Sequence, residues 1–181
     1  MWEDISKNKN IFLSGYINAS TIDGVVNKIF DITYDDKCKA ETFRNFKMEP
    51  ICLYINSGGG SVYDGLSLVD LIINNSTPIH TYCFGRAMSM GLWIFMASKN
   101  RYMGKNATLL YHEVSNFIGD KLEGIKQEVS EMERLQVLYD NIITENSNIM
   151  QEKLNSYKER KADWFIPAQD ALKLGLCHKI I

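Results

Sequence analysis

Residues 51–75 read ICLYINSGGGSVYDGLSLVDLIINN, and this stretch sets the fold class. Ile51 to Ser57 is rich in β-branched and aromatic residues, the composition of a buried strand. Three consecutive glycines end that run, and Val62 to Asn75 carries apolar residues at helical spacing. A strand, a glycine turn and a helix make a β-α unit, and repeated units of this kind build parallel sheets. The alternation repeats outward in both directions. IFLSGYI (11–17) reads as a strand, followed by an amphipathic helix in STIDGVVNKIFDI (20–32) with Ser20 or Thr21 as its cap. PIHTYCFG (78–85) is a further strand and SMGLWIFMAS (89–98) a helix. RYMGK (101–105) and TLLYHEV (108–114) give two more strands. Residues 34–49, YDDKCKAETFRNFKME, show no clear period and are expected to form a long loop.

Beyond residue 120 the pattern changes. Leu122, Ile125, Val129, Met132, Leu135, Leu138 and Ile142 recur in steps of three and four, which predicts one long amphipathic helix from Lys121 to about Ser147. A second helix is expected over about 148–160. IPAQDALKLG (166–175) reads as a short helix, and LCHKII (176–181) as a closing strand. The fold class is therefore α/β: a largely parallel sheet with crossover helices and an appended helical pair.

The totals narrow the function. A chain of 181 residues with 45% hydrophobic residues can bury a core as one domain. A net charge of −2 gives no basic field for nucleic acid. No apolar run reaches the length of a membrane span, and the polar start MWEDISKNKN does not read as a signal peptide. The expected location is cytoplasmic. Cys38, Cys52, Cys83 and Cys177 show no metal-ligand spacing and read as reduced thiols.

Chemistry concentrates in three places. In GRAMSMG (85–91), Ser89 opens a helix straight after a strand. It is either an N-cap or a nucleophile seated beside unpaired N–H groups that stabilise a developing anion. NSGGGSV (56–62) lacks both the Lys-Ser/Thr ending of a phosphate loop and a G-x-G-x-x-G fingerprint, so an oxyanion- or peptide-binding turn fits it better. Of the three histidines, His80 and His178 lie within apolar strands and read as structural. His112 ends a strand, where sites collect in parallel sheets. Many carboxylates compete to orient that imidazole; Asp163 is one of them.

The segments INSGGGSV, GRAMSMG, LLYHE and DWFIPAQDALKLGL, in this order and spacing, resemble the proteolytic subunit of the ATP-dependent Clp protease. The resemblance runs from about Ile11 to Ile181. It implies the crotonase/ClpP-like fold, with stacked β-α units forming a head (about 1–114 and 161–181) and a long handle helix (about 115–160). It also implies a serine endopeptidase that acts on unfolded proteins or peptides inside a ring of its own copies, a heptamer or double heptamer. By this likeness Ser89 is the nucleophile, His112 the general base and Asp163 the orienting carboxylate. The amides of Gly60 and Met90 form the oxyanion hole, so the Met90 side chain is replaceable in principle. Gly59, Ser61 and Val62, with Ser115 and Asn116 after the histidine, would clamp the polypeptide substrate as an added strand. Tyr54, Phe84 and Tyr102 fall on a docking pocket for an AAA+ Clp-type ATPase. No metal or cofactor is required, and neither nucleic acid nor a membrane is a partner. The alternative is an ATPase-independent peptidase of the same fold, processing one specific protein or small peptides.

Several positions depart from the family. Gly58 replaces a proline, Glu113-Val114 replaces Gln-Pro, and Lys161-Ala162 replaces an acidic–arginine pair. Cys52 and Asn74 alter the docking pocket. The residues before Ile11 are too few for the usual gating loop.

Overall fold

The computed structural model describes residues 9–181; the gating-loop expectation falls largely on residues outside that range. The sheet begins with β1 (Asn10–Ile17), β2 (Ile51–Gly60) and β3 (Ile79–Met88), all parallel. Helices α1 (Ala19–Thr42) and α2 (Val62–Asn74) connect them, and α3 (Met90–Met96) follows β3. Strands β4 (Arg101–Met103) and β5 (Thr108–Tyr111) come next, then α4 (Leu122–Glu145) and α5 (Gln151–Glu159). The chain closes through β6 (Trp164–Pro167), α6 (Ala168–Lys173) and β7 (Lys179–Ile180). The spatial order is β1-β2-β3-β4-β7, with β5 bridging β3 and β6.

Strand β3 divides its length between two neighbours. Thr81 to Cys83 pair with β4, whereas Arg86 to Met88 pair with β5. Gly85, at φ 89°, stands between the two halves. A Cβ there would lie 2.7 Å from Asn56 Oδ1, so both the backbone and the space demand glycine. The single antiparallel pair among the described residues is β5 with β6.

The core follows the alternation of these strands. Ile11, Leu13, Ile51, Leu53, Ile55, Ile79 and Cys83 point to the helical side, where they meet Ile22, Val25 and Ile29 of α1, Leu68 and Val69 of α2, and all of α3. The opposite face carries a row of stacked rings. Phe12 lies 5.0 Å from Tyr54, Tyr54 4.9 Å from Tyr82, and Tyr82 4.7 Å from Tyr102.

Residues 34–42, expected as loop, continue α1. The buried stripe of that helix runs Ile22, Val25, Ile29, Thr33, Asp36, in helical steps throughout, but its last two members are polar. Asp36 is buried against Lys9 Nζ (2.6 Å) and Thr77 Oγ1 (2.9 Å), and Thr33 bonds Asn75. An apolar-period search cannot see a stripe finished by hydrogen bonds. Only Phe43 to Pro50 form the loop. Breaking a buried pair strands the partner charge, so Asp36→Ala should cost about 3 kcal/mol in chemical denaturation.

Other boundaries shift as well. Asn18, not Ser20 or Thr21, caps α1; its side chain accepts from the Thr21 N–H at 3.0 Å, and the Asn18 N–H donates back to Thr21 Oγ1. Strand β2 runs on through the glycines, β3 runs into the heptapeptide, and Trp164–Pro167 form a strand ahead of the shortened α6. The helix expected over 148–160 spans Gln151–Glu159, and the closing strand shrinks to Lys179–Ile180. No helix of the described residues is long and apolar enough to cross a membrane. All four cysteines are free, and burial pushes the Cys83 thiol up to about 12, which keeps it protonated and unreactive.

Candidate active site

Ser89 sits where β3 meets α3, with φ 52° and ψ −124°. A non-glycine residue in the left-handed half of backbone space costs about 1–3 kcal/mol and persists only where its surroundings impose it. The N-cap alternative fails on geometry, because the side chain makes no capping hydrogen bond. The Ser89 carbonyl accepts from the N–H groups of Leu92 and Trp93. The N–H groups of Met90 and Gly91 therefore lie in the helix's unsatisfied first turn.

The glycine turn packs directly on this serine. A Cβ on Gly59 would stand 2.7 Å from Ser89 Cβ and 3.2 Å from its Oγ, and Gly59 itself holds φ 102°. The Gly59 N–H donates to Ser57 Oγ at 3.0 Å, whose hydroxyl in turn donates to the Gly15 carbonyl. A Cβ on Gly60 would run into the Ile17 carbonyl of β1. Beyond it, the Ser61 N–H donates to that same carbonyl, and the Ser61 side chain caps α2.

Strand register brings the other candidates to the same end of the sheet. Met88 pairs with Leu110 across β3 and β5, and the Ser89 N–H donates to the Leu110 carbonyl at 3.1 Å. His112 is the second residue past that pair. Across β5 and β6, Tyr111 faces Trp164. One antiparallel step outward sets His112 level with Asp163. Ser89, His112 and Asp163 thus share one edge, although no hydrogen bond links any two of them. His112 Nδ1 instead lies 2.6 Å from the Glu113 carbonyl oxygen. A carbonyl only accepts, so Nδ1 carries the proton, and in the neutral ring Nε2 keeps its lone pair.

The residues around His112 are held by a buried polar cluster that sequence reasoning missed. The Tyr111 hydroxyl donates to Asp140 Oδ1 (2.8 Å), as does Gln136 Nε2 (2.7 Å). Gln136 Oε1 accepts from the Val114 N–H at 2.7 Å. Burial first, and then the hydrogen bond to Asp140 and its charge, push the Tyr111 hydroxyl far above its ordinary range, so it remains a donor. The ring of Tyr139 stacks between Trp93 of α3 and Tyr111 of β5, at 4.4 and 5.1 Å. The spacing of 136 and 140 on one helix face was the available signal, hidden because both residues are polar.

The Met90 side chain has a packing role of its own. It is buried and fills the notch left by Gly65 on α2, where a Cβ would lie 2.7 Å from Met90 Cε. The expectation that this side chain is replaceable fails for stability: it locks α3 to α2. Gly60, Ser61 and Val62 line one wall of a cavity of about 290 Å³, and Ser115 and Asn116 line another. Two segments far apart in sequence are thereby brought together. Tyr54 and Phe84 stack at 5.9 Å on the aromatic row, and Tyr102 joins them through Tyr82.

The family description that matches this chain is Clp protease, over residues 1–181. The ATP-dependent Clp protease proteolytic subunit of Borreliella afzelii is 30% identical over a 186-residue alignment that spans 100% of this chain and 87% of the relative. The ATP-dependent Clp protease proteolytic subunit 1 of Borreliella burgdorferi is also 30% identical, with 88% of its length spanned. With likeness from end to end, and a parallel-dominated sheet flanked by helices, the chain belongs to the Clp protease family and is a serine-type peptidase.

Proposed function

We propose that the chain hydrolyses peptide bonds in unfolded proteins or peptides within a ring of its own copies, with Ser89 as nucleophile. His112 takes the Ser89 proton as Oγ attacks the scissile carbonyl, and later gives it to the leaving amine. Asp163 orients the imidazolium, and the Gly60 and Met90 N–H groups bind the tetrahedral oxyanion. For this arrangement to close, His112 Nδ1 must leave the Glu113 carbonyl for Asp163, a side-chain rotation between two acceptors. Gly59, Ser61 and Val62, with Ser115 and Asn116, hold the substrate in extended form.

The observation that carries this reading is Ser89 itself: a strained, uncapped serine at a helix start, packed on a glycine turn beside His112. For the ring, the support is the N-terminal half of α4. Leu122, Ile125 and Val129 leave an exposed apolar stripe, while the buried residues of that helix fall in its second half. A second copy of the chain is the occupant that suits such a stripe. The aromatic row with Tyr54, Phe84 and Tyr102 is the proposed dock for an AAA+ Clp-type unfoldase.

A fluorophosphonate probe should label the protein, and sedimentation should give a mass several times 20.7 kDa. A persistent monomer would sink the compartment reading. Casein degradation that needs a Clp-type ATPase supports the unfoldase partnership; equal degradation without it favours the ATPase-independent alternative.

A further inference from the structure

The cluster on α4 and α5 does more than fill space. Asp140 is buried, and its two oxygens take four donors from three chain segments. Oδ1 accepts from Tyr111 and Gln136; Oδ2 accepts from Gln151 Nε2 (2.6 Å) and Lys158 Nζ (2.5 Å). The segment carrying His112 is gripped on both sides of that residue. Before it, Tyr111 is fixed through its hydroxyl; after it, the Val114 N–H is fixed by Gln136. On the other side, Lys158 lies a short stretch before Asp163, and the two rings that flank this stretch, Tyr157 and Trp164, stack at 4.8 Å.

We propose that Asp140, acting with Gln136 and Tyr111, is a positioning residue that fixes where the His112 imidazole stands between Ser89 and Asp163. A buried carboxylate with every donor matched is stiff, because moving any member strands a charge or a polar group. With the backbone clamped at 111 and 114, rotation of the imidazole is the motion left to His112, and it swings between the Glu113 carbonyl and Asp163. Without the clamp, the segment from His112 to Val114 drifts, and a displacement of about 1 Å lowers turnover by on the order of a hundredfold. This inference rests on the serine peptidase reading for its kinetic consequence, but not for its structural one.

Two variants test it. Tyr111→Phe removes one oxygen and keeps the ring stacked on Tyr139, and Gln136→Leu removes the Val114 acceptor. Each should lower kcat for a small peptide by roughly tenfold or more, and Tyr111→Phe should keep KM within about twofold, since Tyr111 lies outside the cavity lined by the substrate clamp. Asp36→Ala is the matched control: a buried carboxylate removed far from the site should reduce Tm and leave kcat unchanged. The structural arm is a carbon–proton spectrum of the three histidine rings. The His112 resonance should shift or broaden in both variants while those of His80 and His178 stay in place. An unmoved His112 resonance, or variants that reduce Tm and leave kcat unchanged as the control does, overturns the proposal. A wild-type protein that cleaves no peptide and takes no probe overturns the peptidase reading alone, and the histidine spectrum then decides the positioning role by itself.

Discussion

Ser89→Ala should abolish fluorophosphonate labelling and lower peptide turnover by a factor on the order of 10⁴ or more, while leaving the melting temperature nearly unchanged. The loss is large because removing the nucleophile leaves only substrate binding and the oxyanion donors. The fold is spared because the Ser89 hydroxyl makes no capping bond, so its deletion strands no partner. Alanine at φ 52° inherits strain that serine already bears. An N-cap would behave in the opposite way, losing about 1 kcal/mol of stability with no effect on chemistry. Labelling that survives the substitution removes Ser89 from the nucleophile's role; a collapse in Tm restores the capping interpretation.

Gly59→Ala should be nearly as damaging, by a different route. The new methyl would meet Ser89 Cβ at 2.7 Å and the Met88 carbonyl at 2.9 Å, from a backbone at φ 102°. Overpacking and left-handed strain together cost about 2–5 kcal/mol. The turn can relieve them only by pushing Ser89 aside, so turnover should drop on the order of a hundredfold even where the protein still folds. Gly58→Ala is the internal comparison. Its Cβ would rest 3.6 Å from the Arg86 guanidinium, an ordinary contact, at a position with no positive φ. Urea denaturation and peptide assays on the pair should separate them by at least 2 kcal/mol. Equal behaviour would mean that the turn is free to move away from the serine.

The alternation of strands and helices was legible because β1, β2 and β3 each bury one face in apolar residues, and α4 repeats its apolar residues in steps of three and four. Where the buried side is polar, the signal vanishes. The last turns of α1, closed by Thr33 and Asp36, read as loop for that reason, and the Asp140 cluster left no apolar trace. Strand β6 escaped notice because Trp164–Pro167 holds only four residues and ends in proline, the sort of segment that only its partner turns into a strand. Ser89 stood out through its glycines, and His112 through its place at a strand end. Asp163 was marked by family likeness alone; its level with His112 is a matter of register between strands distant in sequence, which local pattern does not encode.

The antiparallel pairing of β5 with β6 also sets an order in time. A chain leaves the ribosome N-terminus first. Ser89, its glycine turn and His112 can therefore be made and paired while α4, α5 and β6 are still absent. Such long-range pairings are the slow ones to form. Asp163 arrives only just ahead of β6, after both helices that carry the Asp140 cluster. A nascent chain at that earlier stage holds Ser89 and His112 without Asp163 and without the Asp140 cluster. On the proposed triad, hydrolytic competence waits until Asp163 and the helices before it have been made.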